Sequence, residues 1–427
     1  MSPLRSGAGA DAFTATVSSP RFAAVLAQVI IGVVLCAPAI RGLIGWPGYI
    51  AAVTGLVALG AIALLLRRAT LDWHGILPVS LLVFLGWSAL SVVWSGYQWA
   101  TVAGVAYQFA IAFLGVTVAL TRDIIQIVRA FGDVLRLVLG LSIAVEIVAG
   151  ILIDQPIRFL QIDGSLALGG PIQGIEGTRN QLGLVCLIAL ATFVVELLTK
   201  SVPRGLAVAS LVVAATTLLF TRSAVSLGVL VVVLVAAAAL RWVRRATAEQ
   251  QRTRQIVTVV VFALTGSAAW LLRGRIIEQF NAGSEFEYRI VLWQRLWQMT
   301  PDSPILGRGW IGLWRRELYP FNAIDYLSGR PHASALNALF DVVLQLGLVG
   351  AVIFVILVGL ALVRSWLIAS ARKAVVHVWP VLILAVLVVT SFAESAILVD
   401  FGWLLLVICT LRAAQGLSWR RMLRAAP

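Results

Sequence analysis

The sequence predicts an all-α polytopic membrane protein with about twelve transmembrane helices and one large extracytoplasmic loop. Three observations predict it. Of 427 residues, 60% are hydrophobic and only 12% are charged, whereas a soluble chain carries about a quarter charged residues. Apolar stretches of roughly 18 residues or more recur from end to end, each long enough for a helix to cross a bilayer. Arg and Lys alternate between dense and sparse along the short connections, as the positive-inside bias requires.

The elements follow in order. Residues 1–21, with the polar run MSPLRSGAGADAFTATVSSP, are expected to be a mobile cytoplasmic N-terminus. The apolar run from Phe22 lacks a clear cleavage site and is expected to act as an uncleaved first span. Residues 22–427 then form a single transmembrane domain. Its expected span cores are 22–40, 46–66, 75–94, 101–120, 135–153, 180–198, 205–221, 223–240, 256–272, 335–362, 377–393 and 396–411. Only Thr221, Arg222 and Ser223 separate the seventh span from the eighth, and Glu394 and Ser395 separate the last pair.

Orientation comes from the short loops. With the N-terminus inside, the cytoplasmic segments carry Arg67 and Arg68, Arg122 and Arg129, Lys200 and Arg204, a group from Arg241 to Arg254, Arg364 to Lys373, and Arg412 to Arg424. The opposite short loops hold little that is basic beyond Arg41 and Arg222. Both termini are therefore expected in the cytoplasm, with extracytoplasmic loops at 154–179 and 273–333. The net charge of +14 fits basic cytoplasmic loops in contact with membrane lipids, and no nucleic-acid partner is expected. Cys36, Cys186 and Cys409 all fall inside apolar runs and read as small packing residues.

The loop 273–333 alone has room for a folded extramembrane element. Within EFEYRIVLWQRLWQM (285–299), Trp293 and Trp297 stand four apart, on one face of a helix expected near the interface. PDSPILGRGWIG (301–312) reads as a turn-rich loop. Eight arginines lie in this loop: Arg273, Arg275, Arg289, Arg295, Arg308, Arg315, Arg316 and Arg330. Carboxylates such as Glu285 and Asp325 balance many of them as solvated surface, yet the cluster as a whole points to an anion site.

Arg222 stands at membrane depth between two apolar runs. It either serves a functional site or snorkels to the outer headgroups. Arg179, in EGTRNQLGL, stands similarly at the outer end of a span. Guanidinium groups make paired hydrogen bonds to phosphate oxygens, so arginines around a wet outer cavity would suit a diphosphate whose lipid tail stays in the bilayer. No dense Asp/Glu cluster accompanies them, and neither a metal site nor a cofactor is expected. His332 is the one histidine on the outer side, beside Arg330. Its imidazole is suited to take a proton from a hydroxyl; the competing reading is a residue that bonds backbone and water at a helix start.

Four stretches in order, EGTRNQLGL (176–184), TRSAVSLGVL (221–230), YRIVLWQRLWQMTPDSPILGRGW (288–310) and HASALNALFDVVLQLGLVG (332–350), resemble the O-antigen ligase superfamily, which includes the ligases and the Wzy-type polymerases. The resemblance implies a metal-independent glycosyltransferase of GT-C-like helical architecture. Such an enzyme takes a glycan from a polyprenyl-diphosphate carrier and passes it to a hydroxyl on a glycan or glycolipid acceptor at the outer face of the cytoplasmic (inner) membrane. On motif position the resemblance gives diphosphate binding to Arg222 and Arg289, with Arg179 and Arg330 as weaker candidates, and places Gly307 and Gly309 in a GxG. The family's base is a histidine directly before an asparagine. Here Asn337 takes the asparagine place and Gly347 the glycine place, but Leu336 stands where the histidine would be, four residues after His332. If the stretch were already helical, positions 332 and 336 would share a face, and His332 would serve as the catalytic base.

The expected activity is therefore ligase-like transfer, with Arg289 and His332 catalytic; a Wzy-type polymerase is the alternative. The rival from another class is a lipid-linked glycan flippase or transporter, and a non-enzymatic scaffold is a third reading. Transporters place ionisable sites near the bilayer midplane. Glu146 and Glu196 are the main acidic residues near spans, and the sequence gives neither an obvious basic partner.

Overall fold

In a computed structural model, the structure describes residues 16–68, 78–275, 283–299, 304–328 and 332–416. Regular structure among them is helical apart from one isolated antiparallel bridge between Ile157 and Ile162. This follows from the apolar composition, because a chain in lipid must satisfy its backbone groups within the segment, and a helix does so. The helices are α1 (Pro20–Leu35), α2 (Ala37–Leu66), α3 (Val79–Leu90), α4 (Gln98–Thr121), α5 (Ile124–Ile147), α6 (Arg179–Thr199), α7 (Arg204–Phe220), α8 (Ala224–Arg244), α9 (Ala248–Leu271), α10 (Gly283–Met299), α11 (Phe321–Ser328), α12 (Ala338–Ala371), α13 (Val378–Thr390) and α14 (Asp400–Gly416). Each expected span overlaps one of them. Six helical segments are long and apolar enough to cross a membrane: Ala37–Leu66, Gln98–Thr121, Ile124–Leu152, Arg179–Thr199, Ala224–Arg244 and Ala338–Ala371. Pro20–Leu35, Val79–Leu90, Arg204–Phe220 and Val375–Thr390 are apolar but shorter.

The described residues divide into two compact units. The first is drawn from Met1–Pro78, Phe109–Arg222 and Trp403–Pro427, the second from Val79–Gln108 and Ser223–Gly402.

In the first unit, two buried carboxylates organise the helices. Glu196 on α6 forms an ion pair with Arg136 on α5, and Arg136 Nε donates to Ser210 Oγ on α7 at 2.8 Å. The basic partner that was not obvious in the sequence comes from another helix, 60 residues away. Gly132 makes room for the pair, since a β-carbon there would stand 2.7 Å from Glu196 Cδ. Glu146 pairs with backbone instead. Its Oε1 accepts from the Gln173 and Gly174 amides, both at 2.8 Å. The segment after α5 is thereby pinned onto that helix.

In the second unit, α12 is broken at Gly347, which has φ +68°. A break strands carbonyl and amide groups that water cannot reach, so other groups must meet them. The segment 304–309 does this. Arg308 N donates to Leu344 O at 3.1 Å, Gly309 N to Gln345 O at 2.8 Å, and Leu348 N to Pro304 O at 2.9 Å. Trp87 Nε1 on α3 takes the Leu346 carbonyl at 3.1 Å. An apolar cluster of Leu292, Leu296, Ile311, Trp314, Phe321, Ile324, Ala335 and Leu344 ties α10, α11 and α12 together. Burying such side chains contributes about 1.5–3 kcal/mol each for the large ones.

Candidate active site

Helix α10 carries the centre of the second unit. Leu292 and Leu296, four apart, form its buried stripe. Arg289 lies on the same stripe, three residues before Leu292, so helical geometry carries a guanidinium toward the core. It is only 7% exposed. A buried charge must be paired, and Arg289 is: Nη1 meets Glu285 Oε2 at 3.4 Å, Nη2 meets Glu394 Oε1 at 3.2 Å, and Nε donates to Ala393 O at 3.3 Å. The two tryptophans of this helix differ. Trp293 donates to Ala335 O at 3.0 Å and stacks on Phe340 at 5.4 Å, while Trp297 is 62% exposed.

His332 is buried. Its ring Nδ1 lies 2.9 Å from Asp325 Oδ1 on α11, and its backbone N–H donates to the same oxygen at 2.9 Å. Its Nε2 is hydrogen-bonded to the Tyr288 hydroxyl, and the two ring planes are nearly parallel, 8° apart. A neutral ring that donates from Nδ1 to a carboxylate accepts at Nε2 from the tyrosine. Three segments, α10, α11 and the stretch before α12, thus converge on one imidazole.

Helix α12 begins at Ala338, capped by Asn337, whose Oδ1 accepts from Leu339 N at 2.9 Å and Phe340 N at 3.2 Å. Positions 332 and 336 therefore do not share a helical face, which corrects the condition set on the sequence. Leu336 instead adopts φ +51°, a left-handed conformation uncommon for a residue other than glycine. Asn337 Nδ2 also donates to Phe392 O at 3.1 Å, so the cap fastens the turn that carries Glu394.

Below this sits Asp341, 1% exposed. Oδ1 accepts from Trp314 Nε1 at 2.6 Å and faces Gln345 Nε2 at 3.4 Å; Oδ2 accepts from Ala335 N at 2.9 Å and from the Ser395 hydroxyl. One carboxylate thereby fixes the His332 segment, the Glu394 turn and the loop around Trp314. Tyr97 donates to Gly309 O at 3.4 Å, and burial pushes its hydroxyl above the usual tyrosine range, the nearby Arg308 charge offsetting only part.

The structure joins Arg289 and His332 to one helix, the first directly and the second through Tyr288. It leaves Arg222 and Arg179 in the first unit. Arg222 occupies the turn after α7 with φ +47°, is exposed, and has its guanidinium over Gly169, where a β-carbon would stand 2.9 Å from Nη2. Arg179 opens α6 behind its cap Thr178 and is half-buried. Arg330 lies outside the described residues. Tyr288, Asp325, Glu394 and Asp341 are the members that sequence reasoning missed. Tyr288 was within reach, since it directly precedes Arg289 in the quoted motif. Glu394 was marked only as a break between apolar runs.

Residues 209–355 match the family model described as O-antigen ligase. The matched segment contains Arg222, Arg289, His332 and Gly347, and over those residues the chain is similar to that family. With the six helical segments long and apolar enough to cross a membrane, it indicates an integral membrane protein. No curated protein matches the chain.

Proposed function

We propose that this protein transfers a glycan from a polyprenyl-diphosphate carrier to a hydroxyl acceptor, at the outer face of the cytoplasmic membrane. The proposal includes twelve crossings with both termini inside and the segments 154–179 and 273–333 outside. The observation that carries it is the pairing of functions on α10: buried Arg289 next to Tyr288, which contacts the Asp325-held His332, all within the matched segment.

A guanidinium is suited to neutralise the charge that grows on a departing diphosphate. At Arg289 the two carboxylates hold the place of that anion, so the diphosphate exchanges with Glu394 and Glu285 as it binds. Arg222 keeps the diphosphate contact implied by the resemblance, and its guanidinium makes no hydrogen bond or ion pair among the described residues. Arg179 and Arg330 are secondary candidates. His332 is the proton acceptor for the acceptor hydroxyl. A single displacement inverts the anomeric carbon.

A polymerase differs from a ligase only in which hydroxyl accepts the glycan, and the proposal covers both. The transporter reading gains one observation, the buried Arg136–Glu196 pair inside the helices. Purified protein in liposomes, given a polyprenyl-diphosphate oligosaccharide and candidate acceptors, separates these readings. Glycan covalently joined to a new hydroxyl supports the transferase. Intact lipid moved between leaflets with no new glycosidic bond supports the transporter and overturns the proposal.

A further inference from the structure

Resting on the glycosyl transfer proposed above, we infer that Tyr288 is a catalytic residue: its hydroxyl takes the acceptor's proton while passing its own to His332 Nε2. Both nitrogens of the His332 ring are engaged. Nδ1 is held by Asp325 at 2.9 Å, and Nε2 meets the Tyr288 hydroxyl. A proton that reaches Nε2 therefore arrives through the tyrosine oxygen. The ring is shut in, with its side chain 3% exposed, whereas Tyr288 is half-buried and forms an outer end of the chain. The ring planes are nearly parallel, 8° apart, with centroids separated by 5.7 Å, and the phenolic oxygen meets the imidazole at Nε2.

Asp325 makes the chain directional. A carboxylate on Nδ1–H fixes the tautomer that leaves Nε2 as the acceptor, and it stabilises the imidazolium once formed. Its second bond, from the His332 amide at 2.9 Å, sets the backbone that carries the ring. Tyr288 and Arg289 are neighbours on α10, so one rigid helix carries both the proton acceptor and the guanidinium assigned to the leaving group.

The step balances. The acceptor oxygen bonds to the anomeric carbon as the bond from that carbon to the diphosphate oxygen breaks, and the electron pair leaves on the diphosphate. The acceptor's proton moves to Tyr288 Oη as the tyrosine's proton moves to Nε2. His332 ends as an imidazolium against Asp325, and its proton then returns by the same chain to the released lipid diphosphate or to water.

The same bonds would also serve as a mere tie between α10, α11 and the segment before α12, so the test needs readouts that a tie would not move. Full-length protein in liposomes is assayed with a polyprenyl-diphosphate oligosaccharide and a glycan acceptor. Tyr288→Phe should lower kcat by about 100-fold or more, with donor KM within about twofold and the unfolding midpoint near wild type. Replacing Tyr288 with 3,5-difluorotyrosine, a more acidic phenol of similar shape, should displace the pH profile of kcat. Wild-type kcat in Tyr288→Phe overturns the relay, as does a difluorotyrosine profile superimposed on that of wild type. If wild type itself joins no glycan to any acceptor, the transfer reading fails and the relay falls with it; that outcome is distinct from an active wild type with an indifferent Tyr288.

Discussion

Gly307 and Gly347 meet backbone to backbone. A β-carbon on Gly307 would stand 2.5 Å from the Leu346 nitrogen, and one on Gly347 would stand 2.6 Å from the Leu306 nitrogen. Both residues have positive φ, +73° and +68°. Two motif glycines, 40 residues apart, are thus two sides of one joint where a loop repairs a broken helix.

Gly347→Ala should accordingly destabilise the protein severely. The left-handed backbone alone costs a residue with a β-carbon about 1–2 kcal/mol, and the clash is with main chain that cannot rotate away, for a total of about 3 kcal/mol or more. Gly359→Ala on the same helix is the control, because nothing lies within 4 Å of a β-carbon there. It should be neutral or stabilising by about 0.5–1 kcal/mol. Unfolding midpoints in detergent check both, and equal midpoints for the two variants would refute the joint.

Arg289 and Glu394 can be separated by a double-mutant comparison. Arg289→Ala leaves two carboxylates without their buried guanidinium, so it should lower both stability and transfer; breaking a buried pair costs about 3–5 kcal/mol. Adding Glu394→Gln should recover much of the stability and none of the transfer. Glu394→Gln alone removes the carboxylate that competes with the diphosphate, and should lower the donor KM. Recovery of transfer in the double variant would reduce Arg289 to a structural partner of Glu394.

Arg222 should behave differently. It is exposed and its guanidinium makes no hydrogen bond among the described residues, so Arg222→Ala should leave the unfolding midpoint unchanged. Losing a charge-assisted bond to phosphate costs about 2 kcal/mol, and donor KM should rise about 30-fold. Arg222→Lys should rescue poorly, because an ammonium cannot form the planar paired contact. Donor kinetics at wild-type values in Arg222→Ala would leave this arginine as a headgroup anchor.

The topology has its own check. Tyr326 on α11 is 87% exposed. In a background lacking Cys36, Cys186 and Cys409, Tyr326→Cys should react with a membrane-impermeant maleimide on intact spheroplasts. Labelling that appears only after lysis would turn the chain over and remove the site from the outer face.

The helices were legible because lipid leaves an apolar run almost no other choice, and each expected span overlaps one, but the ends were not: α2 and α5 begin well before the expected cores and α12 runs well past its own. Nor were the breaks. Gly347 in VVLQLGLVG was legible as a motif glycine but not as a break in the span, since what makes it a kink is the docking of residues 304–309 from a distant segment. The same holds for charge. Arg136 and Glu196 sit on separate helices, so no local pattern joins them. Asp325 looked like one more surface carboxylate until α11 turned it toward His332. Arg289 was legible as a motif residue, but its burial was legible only through its phase with Leu292 and Leu296. At Leu336, the departure from the family pattern was visible in the sequence; that its backbone turns left-handed there was not.

Asp341 binds these distant pieces. Its two oxygens face donors from Trp314, Gln345, Ala335 and Ser395, and it is 1% exposed. Every one of those groups donates, so the site is built for a pure acceptor. Asp341→Asn puts an amide NH₂ against N–H and O–H donors in a place where no water can intervene. At least one buried donor is left unsatisfied, which costs about 1–3 kcal/mol, and more where the lost partner was charged. The midpoint of unfolding should fall accordingly. Ser395 and Ala335 lie on the two segments that carry Glu394 and His332, so kcat should fall further than stability alone explains, while the helical circular dichroism signal stays near wild type. Asp341→Ala should be no better, since it deletes the acceptor altogether. An Asp341→Asn protein with the stability and turnover of wild type would show that these four donors find partners without the charge, and that the carboxylate does not hold the site together.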